Sequence, residues 1–137
     1  MKVFERTQEK AERWVKDMML ALDTEDAQLA LHALRAGLHA LRDRLMPTEA
    51  AQAVAQLPRE LKAVWRAGEI PNRTPVKMHR KQLYERVMRE ARLQNVREAR
   101  FLTIGVFAAL KAQLSPGEAD DVRAQLPRDL QHVWEDA

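Results

Sequence analysis

The sequence predicts an all-α protein whose two related halves pack into one compact bundle. Ala, Leu, Arg, Glu, Gln and Lys dominate its 137 residues, and these are strong helix formers. No window alternates apolar and polar residues with β-branched enrichment, as a half-buried strand would. The stretch AQLPRELKAVW at 55–65 returns as AQLPRDLQHVW at 124–134, which indicates an internal repeat.

The repeat extends well beyond these eleven residues. A shift of 69 positions aligns Leu38–Trp65 with Phe107–Trp134 without a gap, and 14 of the 28 pairs are identical. We predict one domain, 1–137, built from a first helical unit at 1–67, a linker at 68–78 and a second unit at 79–137. Each unit has about four helices. A unit of this size is marginal alone, so the two are expected to pack about a pseudo-two-fold axis.

Each unit is expected to contain one long amphipathic helix. In the first unit Asp23 is the predicted N-cap, and the apolar stripe runs through Leu31, Leu34, Leu38, Leu41 and Leu45. The stripe of the second unit is more apolar and is expected to be more buried; it runs through Val96, Ala99, Thr103, Phe107, Leu110 and Leu114. Small residues at matching places predict that the long helices cross at Ala36/Ala40 and Gly105/Ala109.

Two short helices follow in each unit. Ser115-Pro116-Gly117-Glu118 has the spacing of a capping box, whereas the first copy has Met46 at the cap position, so that start is expected to be weaker by about 1 kcal/mol. A proline then ends one helix and opens the next. The predicted structural anchors of this corner are Pro58, Leu61 and Trp65 in the first unit and Pro127, Leu130 and Trp134 in the second.

Composition limits the location and class of the protein. The chain has no cysteine, which excludes disulfides and thiolate metal sites and fits a reducing cytoplasm. The N-terminus lacks the apolar region of a signal peptide. The most apolar segment, Phe101–Leu110, is half the length of a membrane span and is flanked by Arg100 and Lys111, so we expect a buried helix and no membrane span.

Two longer segments carry a family resemblance. GLHALRDRLMPTEAAQAVAQLP in the first half and SPGEADDVRAQLPRDLQHVW in the second closely resemble the bacterial family catalogued as domain of unknown function 2267, over roughly residues 12 to 136. The resemblance implies a duplicated all-helical domain of bacterial, soluble origin and supplies no activity. After the first Leu-Pro, relatives tend to continue through paired aromatics to Gly-Trp, whereas this chain reads AVWRAGEIP.

The sequence offers little material for catalysis or metal binding. His39 and Asp43 lie one helical turn apart, but His32 is too distant to join them and the second copy has Ala108 and Ala112 instead. The single serine, Ser115, is interpreted as a cap, and the matched carboxylates Glu49 and Glu118 are expected to cap helices as well. We therefore predict a non-enzyme with no catalytic residue, metal site or cofactor.

The charge is unevenly distributed along the chain. Residues 73–100 contain nine Lys or Arg against three Glu, whereas residues 101–137 contain three against six acidic residues. Glu85, Glu90 and Glu98 interrupt the basic stretch, which is typical of a solvated helix face. The candidate phosphate-contacting residues are Lys77, Arg80, Lys81, Arg86, Arg89 and Arg92.

Arg59 and Arg128 occupy matching positions in the first turn of a helix, where the helix dipole disfavours a cation. An ion pair with a nearby carboxylate would offset this, and the alternative is that the two arginines mark a partner surface. The leading hypothesis is a cytoplasmic, non-enzymatic helical module acting through contacts with a protein partner or a second copy of itself. The alternative is a nucleic-acid-associated protein using the basic face at 77–100.

Overall fold

The computed structural model describes the backbone of residues 2–137 and the side chains of residues 12–137. Over this range the chain is all-helical, as predicted, with eight helices and no strand. None of these helices combines the length and apolar character needed to cross a membrane. The helices are α1 Lys2–Leu22, α2 Ala27–Arg44, α3 Pro47–Ala55, α4 Arg59–Arg66, α5 Arg80–Ala91, α6 Val96–Lys111, α7 Pro116–Ala124 and α8 Arg128–Asp136.

Helix α2 lies at the centre of the bundle. It contacts α1, α5, α6 and the short helices α3 and α4. Its leucines at 34, 38 and 41 are almost completely buried, as the apolar stripe predicts. The remaining inward positions are small, which lets several helix backbones approach the same helix; they are Ala30, Ala33, Ala36, Gly37 and Ala40.

Helices α2 and α6 are packed tightly at Gly37. A Cβ atom at this position would lie 2.9 Å from Cγ2 of the buried Val106. Gly105, in contrast, faces α1, where a Cβ would lie 3.3 Å from Cβ of Ala21 and 3.4 Å from Cε of Met18. The predicted crossing point is therefore wrong for Gly105, because the side of α6 that carries it packs on α1 rather than on α2.

The N-terminus of α2 begins three residues later than predicted. Asp26, not Asp23, is the N-cap, and its Oδ1 accepts hydrogen bonds from the backbone N–H groups of Gln28 and Leu29, both at 3.1 Å. Asp23 instead follows the end of α1 with a left-handed φ of 50°, a conformation that Asp tolerates better than most residues. Both candidate caps are aspartates, so the sequence pattern alone did not separate them.

The starts of α3 and α7 are each completed by the other half of the chain. Ser115 Oγ caps α7 by accepting from the N–H of Glu118 at 3.2 Å, as predicted. The N–H of Ser115 donates to Oε1 of Gln56 at 2.7 Å, and the N–H of Met46 donates to Oε1 of Gln125 at 2.8 Å. Met46 supplies no side-chain cap. The glutamine that caps the C-terminus of each short helix thus serves the N-terminus of the other.

The short helices α4 and α8 begin after Pro58 and Pro127. The carbonyls at their C-terminal ends accept hydrogen bonds from a cationic side chain of a long helix. Nη1 of Arg42 donates to the carbonyls of Trp65 and Ala67, and Nζ of Lys111 donates to the carbonyls of Trp134 and Ala137. These contacts satisfy carbonyls that have no partner within their own helix. The side chains of Trp65 and Trp134 are buried beside the long helices, and Trp134 meets Phe107 edge-on with ring centroids 5.2 Å apart.

The segment between α4 and α5 is docked onto the C-terminus of α2. Nη1 and Nη2 of Arg73 donate to the carbonyls of Leu45 at 2.8 Å and Arg42 at 2.6 Å. The N–H of Val76 donates to the carbonyl of Asp43 at 2.8 Å. This segment therefore caps the central helix in addition to connecting α4 with α5.

The contact between Gly37 and Val106 predicts the effect of a single methyl group. Gly37→Ala should destabilise the protein by about 1–3 kcal/mol, since Val106 is stiff and buried and the packing must shift to admit the Cβ. The control is Gly117→Ala, where a Cβ meets no atom within 4 Å and should stabilise by about 0.4–1 kcal/mol. Urea unfolding followed by circular dichroism measures both, and a Gly37→Ala variant as stable as the wild type would contradict the tight packing.

Candidate functional site

A pair of buried carboxyl groups lies where α3 meets α7. Glu49 and Glu118 are the third residues of these two helices, the position at which a capping box would use them to accept from the backbone N–H of the cap residue. Those N–H groups belong to Met46 and Ser115, and both donate to the glutamines of the opposite half instead. The expected capping role is therefore wrong for both carboxyl groups, which contact each other.

The two carboxyl groups are poorly satisfied by the rest of the protein. Glu49 is 8% and Glu118 is 6% exposed. Apart from what the two groups offer each other, Oε1 of Glu49 and Oε1 of Glu118 are buried without a hydrogen-bond partner. The exposed Asp121 lies one turn further along α7, and one oxygen from each of the three residues lies within 4.8 Å of the other two. We call Glu49, Glu118 and Asp121 the carboxylate cluster.

The environment of Glu118 changes its acidity. The pKa of Glu118 is raised to about 7. Burial is the largest cause, followed by the hydrogen bond to Glu49 and the negative charges of Glu49 and Asp121. A protonated Glu118 donates a hydrogen bond to the Glu49 carboxylate, whereas two ionised groups would repel each other in a poorly solvated space. Glu118 therefore keeps its proton to a higher pH than an ordinary glutamate does.

A second site lies between the start of α5 and the start of α6. Arg80, Lys81, Tyr84, Val96 and Arg100 line a cavity of about 470 Å³. Tyr84 is 5% exposed, and its hydroxyl has no hydrogen-bond partner within the described part of the chain. Burial raises the pKa of Tyr84, which opposes the lowering effect of the nearby Arg80 and Arg100. We call this space the basic cavity.

The structure separates the six candidate phosphate-contacting residues. Arg80 and Lys81 line the basic cavity, and Lys77 lines a different depression with Arg44. Arg89 and Arg92 lie near the other end of α5, and Arg80 and Arg92 are about 18 Å apart along the helix axis. The guanidinium of Arg86 already donates hydrogen bonds to the carboxylates of Asp43 at 2.6 Å and Glu90 at 2.9 Å. The predicted continuous basic face is thus divided.

His39 and Asp43, the two residues considered for a metal, have structural partners. Nε2 of His39 is 2.7 Å from the carbonyl of Val64, and burial lowers the pKa of this imidazole. Asp43 accepts from Nε of Arg42 at 2.8 Å and from Arg86. Although burial alone would raise the pKa of Asp43, these two hydrogen bonds hold it below its usual value.

Arg59 and Arg128, the candidate partner surface, are the first residues of α4 and α8, and both are exposed. Across the side chains of residues 12–137, neither guanidinium forms a salt bridge, so the ion pair expected from the sequence is absent from that range. Asp129, the carboxylate next to Arg128 in the sequence, accepts from the backbone N–H of Arg80 at 3.0 Å. Nδ1 of His79 lies 3.8 Å from the same carboxylate.

These features define an all-helical domain in which the two short helix pairs meet around a buried carboxyl pair. The family model described as "Uncharacterized conserved protein (DUF2267)" matches residues 11–133, so the chain belongs to this family and the predicted resemblance is confirmed. No curated protein matches the chain.

Sequence reasoning missed both sites, although each left a signal. Glu49 and Glu118 align with each other when the sequence is shifted by 69 positions, and this match was the signal that could have linked them. Arg100 and Tyr84 of the basic cavity are both within the basic stretch, but they belong to different helices. Their juxtaposition depends on how α5 packs against α6, which the local sequence does not specify.

The raised pKa of Glu118 predicts how stability depends on pH. The folded-state pKa of about 7 lies above the ordinary 4.5, so this proton stabilises the fold fully below about pH 4.5, and the contribution is lost as the pH rises through 7. The loss is at most about 3 kcal/mol. In EDTA, the unfolding free energy of the wild type should therefore fall between pH 5 and pH 8.

Matched variants assign that dependence to Glu118. Glu118→Gln should remove most of it and should be more stable than the wild type at pH 8, because an amide donates to Glu49 without ionising. Asp120→Asn, on the exposed face of the same helix, should keep the wild-type dependence. Equal pH profiles for the wild type and Glu118→Gln would show that Glu118 titrates normally.

Proposed function

We propose that the protein is a non-enzymatic helical module that binds a protein partner through the basic cavity, which receives an acidic group of that partner. The observation that carries the proposal is the position of Tyr84, whose buried hydroxyl lacks a partner beside three cationic side chains. A buried polar group without a hydrogen bond destabilises the free protein. A bound carboxylate would accept that hydrogen bond and neutralise part of the charge.

The charges around the cavity support an anionic occupant. Arg80, Lys81 and Arg100 form no salt bridge with the side chains of residues 12–137. The carboxylate of Asp129 is nearby but accepts from the backbone of Arg80 rather than from its guanidinium. Three uncompensated cations around a partly enclosed space attract an anion more strongly than the same charges dispersed on a convex surface.

The proposal treats the protein as non-enzymatic and cytoplasmic, as expected from the sequence. It is supported by the structural use of the groups that usually perform catalysis. Ser115 caps α7, His39 contacts the carbonyl of Val64, and Asp43 is held by two arginines. A nucleophile or base must be free to reach a substrate, and these three groups are occupied by contacts that maintain the fold.

The proposal also includes a tandem duplication packed about a pseudo-two-fold axis. Helices α3 and α7 begin at Pro47 and Pro116, 69 positions apart, the shift of the sequence repeat. The contact of α1 with α6 is matched by that of α5 with α2. The hydrogen bond from Met46 to Gln125 has its counterpart in the bond from Ser115 to Gln56, again at a shift of 69 positions. An axis between Glu49 and Glu118 accounts for these pairings together.

Nucleic acid is a second candidate partner because an aromatic ring is exposed on α6, at the position directly after Arg100 of the cavity. Phe101 is 41% exposed, and the guanidinium carbon of Arg97 lies 5.4 Å from its ring centroid. An exposed aromatic next to cations is typical of surfaces on which unpaired bases stack while their phosphates contact Lys or Arg. The same three cavity cations would contact the phosphates.

The protein-partner proposal is tested by removing the charges of the cavity. The triple variant Arg80→Gln, Lys81→Gln, Arg100→Gln should lose partner proteins that the wild type retains in quantitative affinity purification. The control triple variant Arg13→Gln, Arg35→Gln, Arg66→Gln removes three exposed charges elsewhere and should keep them. Equal retention by both triple variants would exclude the basic cavity as the binding surface.

The nucleic-acid alternative predicts a different result with a purified probe. Fluorescence anisotropy with a short single-stranded RNA should show an affinity that falls steeply with salt, and the cavity triple variant should reduce the logarithmic slope by about 2. Phe101→Ser should weaken binding by about 1–3 kcal/mol if bases stack on this ring. Equal, weak binding by the wild type, Phe101→Ser and the cavity triple variant would reject this candidate.

A further inference from the structure

The carboxylate cluster has the chemistry of a cation site. We propose that Glu49, Glu118 and Asp121 bind one oxygen-preferring divalent cation, of the class of Mg²⁺, Mn²⁺ or Ca²⁺, between α3 and α7. The inference does not depend on the proposed partner, because the basic cavity lies between α5 and α6 and shares no residue with the cluster.

The spacing of the oxygens fits one ion. One oxygen from each of the three residues lies within 4.8 Å of the others. Two oxygens that bind the same ion at the usual 2.1–2.5 Å cannot be more than about 5 Å apart. All three side chains supply carboxylate oxygens, which hard divalent cations prefer to nitrogen or sulfur ligands. The cluster therefore provides three ligands without a large rearrangement.

The buried oxygens provide the second line of evidence. Glu49 and Glu118 are more than nine-tenths buried, and Oε1 of each lacks a partner outside the pair. Structural carboxylates at such burial usually accept hydrogen bonds from N–H groups or pair with an arginine. Here the N–H groups of Met46 and Ser115 are taken by glutamines. A cation would satisfy both oxygens at once.

The exposed ligand gives the ion a route to solvent. Asp121 is exposed while its two partners are buried, so an ion can enter from that side and keep several of its waters, as Mg²⁺ in particular does. Three carboxylates with water in the remaining positions predict dissociation constants on the order of 10⁻⁴–10⁻³ M. Since Glu49 belongs to α3 and Glu118 and Asp121 belong to α7, the ion would cross-link the two units.

Calorimetric titration of the EDTA-treated protein with each ion tests the site. We expect Mn²⁺, Mg²⁺ or Ca²⁺ to bind the wild type with one-to-one stoichiometry and to raise its melting temperature. Asp121→Asn removes an exposed ligand and should weaken binding tenfold or more. It should not lower the melting temperature of the metal-free protein, because it removes one of three clustered negative charges. Glu118→Gln should weaken binding at least as much.

A matched control separates a specific site from general charge screening. Asp120→Asn removes the neighbouring exposed carboxylate, which is outside the cluster, and should leave affinity and stoichiometry unchanged. The proposal is overturned if no ion at about 10 mM produces heat or a shift in melting temperature, given the expected affinity. It is also overturned if Asp120→Asn and Asp121→Asn weaken binding equally. In either case the cluster binds protons alone or only attracts counterions.

Discussion

The architecture depends on the small side chains along the buried faces of helix α2. Five other helices contact it, and helix axes that pack together are separated by 8–10 Å, the smaller values requiring small side chains at the contact. The positions of α2 that face its neighbours are alanines and one glycine interleaved with three leucines, and Gly37 admits the methyl group of Val106. Larger residues at these positions would push α5 and α6 away from α2.

The backbone groups at several helix ends form hydrogen bonds with residues elsewhere in the bundle. The carbonyls at the end of α4 are satisfied by Arg42, those at the end of α8 by Lys111, and those at the end of α2 by Arg73. The N–H groups that start α3 and α7 are satisfied by glutamines from the opposite unit. Because these terminal groups bond to residues distant in sequence, the helix ends contribute to how the helices are positioned against one another.

The carboxylate cluster is a consequence of that arrangement. A glutamate three residues after a cap usually folds back onto its own helix, and here the backbone donors are already occupied. The two carboxyl groups are consequently brought together where the units meet, with the pKa of Glu118 raised to about 7 by burial and by its neighbour. The basic cavity has the opposite character, since within residues 12–137 its three cations form no salt bridge and the Tyr84 hydroxyl has no hydrogen-bond partner. The protein thus presents two charge-imbalanced sites on different helix pairs.

The sequence by itself determined the helical class, the family and the cap at Ser115, and its self-similarity at a shift of 69 positions predicts a repeat. These follow from local propensity, from residue periodicity and from proline positions, all of which act over one or two helical turns. The tertiary structure alone decided that Gly105 faces α1, that Glu49 and Glu118 contact each other, and that Arg86 is bound to Asp43 while Arg80 and Arg100 share a cavity. Each of these depends on the rotation of one helix against another, which is set by side-chain packing between residues far apart in sequence.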